Sequence, residues 1–94
     1  MKNFIKKIFK KNKNTKIPSS VSVGNGTVLM PQVTFRYDVN SENPIKIGND
    51  CMLNCNFIFE SSQGEIEIGD RTFINAGTNL ISRSKIKIGN DVTI

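Results

Sequence analysis

One phrase recurs three times in this chain, and it limits the possible folds more than any other feature. "IKIGNDCMLNC", Ile45 to Cys55, returns as "IEIGDRTFINA", Ile66 to Ala76, and its opening half returns as "IKIGNDVTI", Ile86 to Ile94. A unit that repeats at about twenty residues is a supersecondary element that buries its apolar face only against copies of itself. The period within each unit identifies the element. Steps of six from Val23 reach Leu29 and Phe35; from Ile47, Leu53 and Phe59; from Ile68, Ile74 and Leu80; and from Ile88, Ile94. All eleven positions are large and apolar. Four residues after each start the side chains are mostly small or β-branched, as at Thr27, Val33, Cys51, Thr72, Thr78 and Val92, with Phe57 and Gln63 as exceptions.

A helix cannot produce this pattern, because helical stripes recur at three and four residues. Short strands joined by regular corners can. Local alternation in Ile45/Ile47, Ile66/Ile68 and Ile86/Ile88 supplies the strands. Gly24, Gly48, Asn54, Gly69, Asn75 and Gly89 occupy the second position of the hexad. Glycine and asparagine tolerate left-handed backbone angles, so the corners are expected there. Blocks start at residues 23, 47, 68 and 88, spaced by 24, 21 and 20. Three hexads would need only eighteen, and the surplus falls in "DVNSENP", "SSQGE" and the "SRS" region, which suit outward loops. The expected fold is an all-β solenoid of about three coils over residues 23–94. Residues 17–22 form a linker or first strand, and residues 1–16 stand apart as a basic tail.

"VGNGTVLMPQVT", "IGNDCMLNC", "IGDRTFINAGTN" and "IGNDVTI" resemble the hexapeptide repeat of the bacterial acyltransferase superfamily, over residues 21–94. That resemblance implies a left-handed parallel β-helix, the rare exception to right-handed crossovers. It also implies a homotrimer, acetyl-CoA or another acyl-CoA as co-substrate, and an acyl group delivered to a sugar or polysaccharide hydroxyl. In the family a histidine acts as general base, and this sequence contains none. The resemblance therefore implies an N-terminal part of such an O-acetyltransferase, cut short before its histidine coil and inactive as a 94-residue chain. In galactoside and maltose O-acetyltransferase-like proteins an asparagine follows the Ile-Gly of the preceding coil and helps hold the acceptor. Asn75 matches it. The acidic residue that usually follows is replaced here by Ser82 and Arg83, and Asn75 reads equally as a plain corner residue like Asn54.

Other candidates carry less chemistry. Cys51 and Cys55 form a C-x3-C pair with too few partners for a zinc site, and no metal is expected. Cys51 falls at the small inward position and is expected to pack in the interior. "VGNG" around Gly24 lacks the Gly-Lys-Ser/Thr ending of a phosphate loop. Asp50, Asp70 and Asp91 recur just after the corner and are expected to solvate its outside.

The excess of basic residues, 13 against 8 acidic, belongs to the tail, because seven lysines lie in the first sixteen residues. Beyond Lys16 the balance is six basic to eight acidic. On a helical wheel starting at Phe4, the side chains of Ile8, Ile5 and Phe9 fall at about 40°, 100° and 140°. Lys6, Lys7, Lys10 and Lys11 fall on the opposite side. The tail is thus expected to be a short amphipathic helix ended by Asn12, Asn14 and Pro18. Its apolar face could cover the open first coil near Val21 and Val23, or dock on an anionic membrane surface. Nucleic acid is not expected, since no recognition module or stacking aromatic array accompanies the lysines. The absence of a signal peptide or spanning segment points to the cytoplasm, with peripheral attachment to the inner membrane face as an option. A non-catalytic solenoid serving as an assembly module, or a membrane-surface adaptor, is the alternative to an enzyme.

Overall fold

The structure is a computed structural model that describes residues 17–38 and 41–94. The expected amphipathic helix lies outside the described residues. Among the described residues the secondary structure is all β. Ten short strands follow one another: β1 (Val21–Val23), β2 (Val28–Leu29), β3 (Thr34–Arg36), β4 (Ile45–Ile47), β5 (Met52–Leu53), β6 (Asn56–Phe59), β7 (Glu65–Ile68), β8 (Phe73–Ile74), β9 (Asn79–Ser82) and β10 (Lys85–Ile88). Each strand pairs in parallel with the strand three later, which gives three sheets ordered β1-β4-β7-β10, β2-β5-β8 and β3-β6-β9. Three strands therefore make one lap, and the laps stack into a β-solenoid.

Stacking in register turns the sequence repeat into columns of like side chains. In the first sheet Val21, Ile45, Ile66 and Ile86 align, as do Val23, Ile47, Ile68 and Ile88. In the second sheet Leu29, Leu53 and Ile74 align. A backbone bridge between Phe73 and Thr93 carries Ile94 to the foot of that column. The middle coils bury their members almost completely; Ile45, Leu53, Ile66 and Ile74 are each at most 2% exposed. Full burial of such a side chain is worth roughly 1.5–3 kcal/mol, so these columns supply the main driving force.

The third sheet corrects the strict count of six. Phe35, Phe57 and Leu80 form its column, whereas Phe59 aligns with Ser82. Leu29 to Phe35 and Ile74 to Leu80 are six steps, but Leu53 to Phe57 is only four. The second lap thus turns its corner on "NCN" where the first uses "MPQVT" and the third "NAGTN". Phe57 is therefore no exception at a small site. That site, between Val33 and Thr78, belongs to Cys55, which is fully buried. The shifted aromatics lock the register: Phe35 stacks on Phe57 with centroids 5.2 Å apart, and Tyr37 meets Phe59 edge-on at 5.2 Å.

The surplus residues do fall outside the prism, between β3 and β4, β6 and β7, and β9 and β10. Asn43 anchors the first of these loops. It is buried, donates from Nδ2 to the carbonyls of Ser61 (3.0 Å) and Gly64 (2.8 Å), and accepts from the Ser41 hydroxyl.

Candidate functional site

The repeated corner is the most regular feature of the surface, and its chemistry is structural. Gly24, Gly48 and Gly69 do not themselves adopt left-handed angles, contrary to expectation; that role falls two residues later, to Gly26, Asp50, Arg71 and Asp91, with φ of 76°, 56°, 55° and 57°. The glycines are needed for close approach. At Gly24, Gly48 and Gly69 an added Cβ would collide with the side-chain oxygen of Asn49, Asp70 and Asn90, respectively, one lap on. Those oxygens are occupied: Asn49 Oδ1 accepts the Asn25 N–H, Asp70 Oδ1 the Asn49 N–H, and Asn90 Oδ1 the Asp70 N–H, at 2.7–2.8 Å. Each lap thereby satisfies a backbone donor that the corner would otherwise leave unpaired. Gly77 (φ 88°) is the left-handed residue of a different corner, two positions after Asn75.

The carboxylates at this corner have separate duties instead of converging. Asp70 belongs to the ladder just described. Asp91 accepts from Arg71 Nε (2.7 Å) and Nη2 (3.1 Å), and this hydrogen bonding holds its carboxyl below the ordinary value. Asp50 is exposed. Among the described residues no group of three or more His, Cys, Asp or Glu is placed to hold a metal ion.

Both cysteines are buried thiols. Cys51 occupies the inner column Thr27, Cys51, Thr72, Val92, where the small group of one lap donates to the glycine carbonyl of the next. Thr27 Oγ1 reaches the Gly48 carbonyl at 2.6 Å, Cys51 Sγ the Gly69 carbonyl at 3.0 Å, and Thr72 Oγ1 the Gly89 carbonyl at 2.8 Å. Burial pushes the Cys55 thiol up to about 12, so it is no nucleophile at neutral pH.

Asn75 is exposed at the corner after β8. Its Nδ2 donates to the Ile94 carbonyl at 2.9 Å, and its own N–H reaches the same oxygen at 2.9 Å. The side chain is thus engaged as a corner residue. No described titratable group contacts it. Asn54, one lap earlier, has its Oδ1 buried without a hydrogen-bond partner among the described residues.

The outer faces offer three surfaces. Across the first sheet a shallow groove of ≈ 290 Å³ follows the glycine column, bordered by Ser22, Lys46, Glu67 and Asp70. Further along, Lys85 bridges Glu65 (3.5 Å) and Glu67 (3.4 Å). The second sheet exposes an apolar column, Val28, Met52 and Phe73, with Met52 44% and Phe73 46% exposed. The third sheet carries a polar ladder, in which Thr34 Oγ1 donates to Asn56 Oδ1 (2.7 Å) and Asn56 Nδ2 to Asn79 Oδ1 (2.9 Å). Sequence reasoning from inward positions missed these outer columns. Their signal is the residue just before each inward one, read down the aligned laps.

The tail residues assigned to a membrane or capping face, Phe4, Ile5, Lys6, Lys7, Ile8, Phe9, Lys10 and Lys11, lie outside the described residues. No described helix is long and apolar enough to cross a membrane. No family model, curated protein or solved structure matches this chain.

Proposed function

We propose that this chain is part of an acyl-CoA-dependent O-acetyltransferase of the hexapeptide-repeat type, a left-handed parallel β-helix that acetylates a sugar or polysaccharide hydroxyl. The observation that carries the reading is the lap itself. The unit of aliphatic residue, glycine, two variable residues and a small residue occupies the same corner in every lap, with the aliphatic inside and the glycine under the next coil. The reading assigns proton abstraction to a histidine outside these 94 residues, since the sequence holds none. It assigns acceptor positioning to Asn75. The groove along the first sheet is too small and open to enclose an acyl-CoA, so the co-substrate would lie between subunits, in keeping with a homotrimer.

Transfer of labelled acetyl from acetyl-CoA to a panel of sugars and polysaccharides tests the proposal. The whole gene product is expected to turn over and the 94-residue chain alone to give none. Asn75→Ala should raise the acceptor KM by roughly tenfold, which corresponds to one lost hydrogen bond of about 1.4 kcal/mol. Turnover by the isolated chain would require a base other than histidine. Failure of the whole product with every acceptor would favour a second reading, a non-catalytic assembly module, for which the exposed Met52 and Phe73 column supplies a contact surface.

A further inference from the structure

The two ends of the solenoid core are less covered than its middle. In the first sheet Val21 and Val23 are only half-buried, whereas Ile45 and Ile47, directly below them, are 1% and 3% exposed. The third sheet repeats the contrast: Phe35 is half-buried above a fully buried Phe57, and Tyr37 is half-buried above Phe59. The uncovered groups share one end, and the strand edges of β1 and β3 lie beside them. Chain direction brings the tail to this end, since Ile17, the first described residue, already packs against the core there.

We infer that residues 1–16 fold back as an amphipathic helix whose Phe4, Ile5, Ile8 and Phe9 cover Val21, Val23, Phe35 and Tyr37, closing the first coil of the same chain. The dimensions agree. Phe4 to Phe9 spans roughly 8 Å along a helix axis, close to the roughly 10 Å that separates packed sheet faces. Residues 12–17, extended, reach roughly 20 Å, enough to turn the helix back over the end. Charge agrees as well: seven lysines would face outward over a body in which acidic residues outnumber basic ones eight to six, with Asp38 and Glu42 in the loop beside Ser20. A tether this short holds the apolar face at an effective millimolar concentration, an advantage that neither a second copy nor a membrane has in dilute solution. A helix laid over strand edges also blocks their pairing with other chains. This cap is independent of the acetyltransferase reading.

The sequence has no tryptophan, so Phe9→Trp in the full chain gives a single reporter. Its emission should be blue-shifted and protected from iodide at micromolar protein without lipid, and unchanged by vesicles of mixed phosphatidylcholine and phosphatidylglycerol. Ile8→Ala and Val23→Ala should each lower Tm by roughly 5 °C, with a double variant less destabilised than the sum, as contacting residues require. Red, freely quenched emission would overturn the cap, as would strictly additive Tm losses. Protection that arises only with vesicles would assign the face to lipid, and protection that rises with protein concentration would assign it to a second copy; either result overturns the proposal.

Discussion

Gly48 has ordinary backbone angles and still has no room for a side chain. Its conservation of shape comes from the neighbouring lap, where Asp70 Oδ1 and the Gly69 backbone fill the space a Cβ would need. Gly48→Ala must therefore push the two laps apart or break the Asn49-to-Asp70 hydrogen bond, and a cost of about 1–3 kcal/mol is expected. Gly89 occupies the same column, but nothing lies within 4 Å of its Cβ position. Gly89→Ala should stay within about 0.5 kcal/mol. Urea midpoints at unchanged slope measure both, and equal costs would refute the close-approach argument. Cys55 gives a second test at this scale. Its thiol ordinarily titrates at 9.0, and burial raises that to about 12 in the folded chain. The unfolded chain therefore loses this proton first as pH rises. The contribution to stability is complete below pH 9 and is lost progressively between about 9 and 12. The urea midpoint should fall across that window more steeply in the parent than in Cys55→Ala, which has no thiol to ionise. Parallel profiles would mean that the thiol is not desolvated.

At the scale of strands and corners, the first sheet was fully legible. Four near-identical tripeptides, each followed by glycine, place Val23, Ile47, Ile68 and Ile88 in one column because the side-chain period of a strand is two and the glycine fixes the corner. The third sheet was legible only in part. Counting onward by six from Leu53 reaches Phe59, which is aromatic and buried, so composition gave no sign that two residues had been dropped at "NCN". Aromatic stacking and hydrogen bonds between laps decide that register, and both depend on neighbours a whole lap away. The left-handed position was misplaced for a related reason. Propensity favours glycine for positive φ, yet three of the four first corners place Asp or Arg there. The glycine is consumed by packing, a constraint visible only when one lap is set on another. Asn75 shows the same limit at the candidate site. Its type and position suit an acceptor ligand, and its measured engagement is with the Ile94 carbonyl.

A solenoid distributes stability along its axis instead of around a centre. Each lap contacts only the laps above and below, so a middle lap gains two interfaces and an end lap one. Burial follows this rule closely: Ile47 and Ile68 in the middle of their column are 3% and 2% exposed, while Val23 above and Ile88 below are half-buried. Opening free energies should therefore be graded and not uniform. Amide hydrogen exchange is expected to be slowest in β4, β5 and β6 and in β7 and β8, and faster in β10, whose outer edge carries no fourth lap of the first sheet. Tail closure adds an asymmetry. With residues 1–16 seated, β1 and β3 should exchange more slowly than β10, although each is a terminal strand of its sheet; disrupting the apolar face with Ile5→Asp and Ile8→Asp should bring the two ends to similar rates while leaving β5 and β8 protected. Exchange that is uniform across all ten strands would instead make the chain a single cooperative unit, and the lap-by-lap account of its stability would fail.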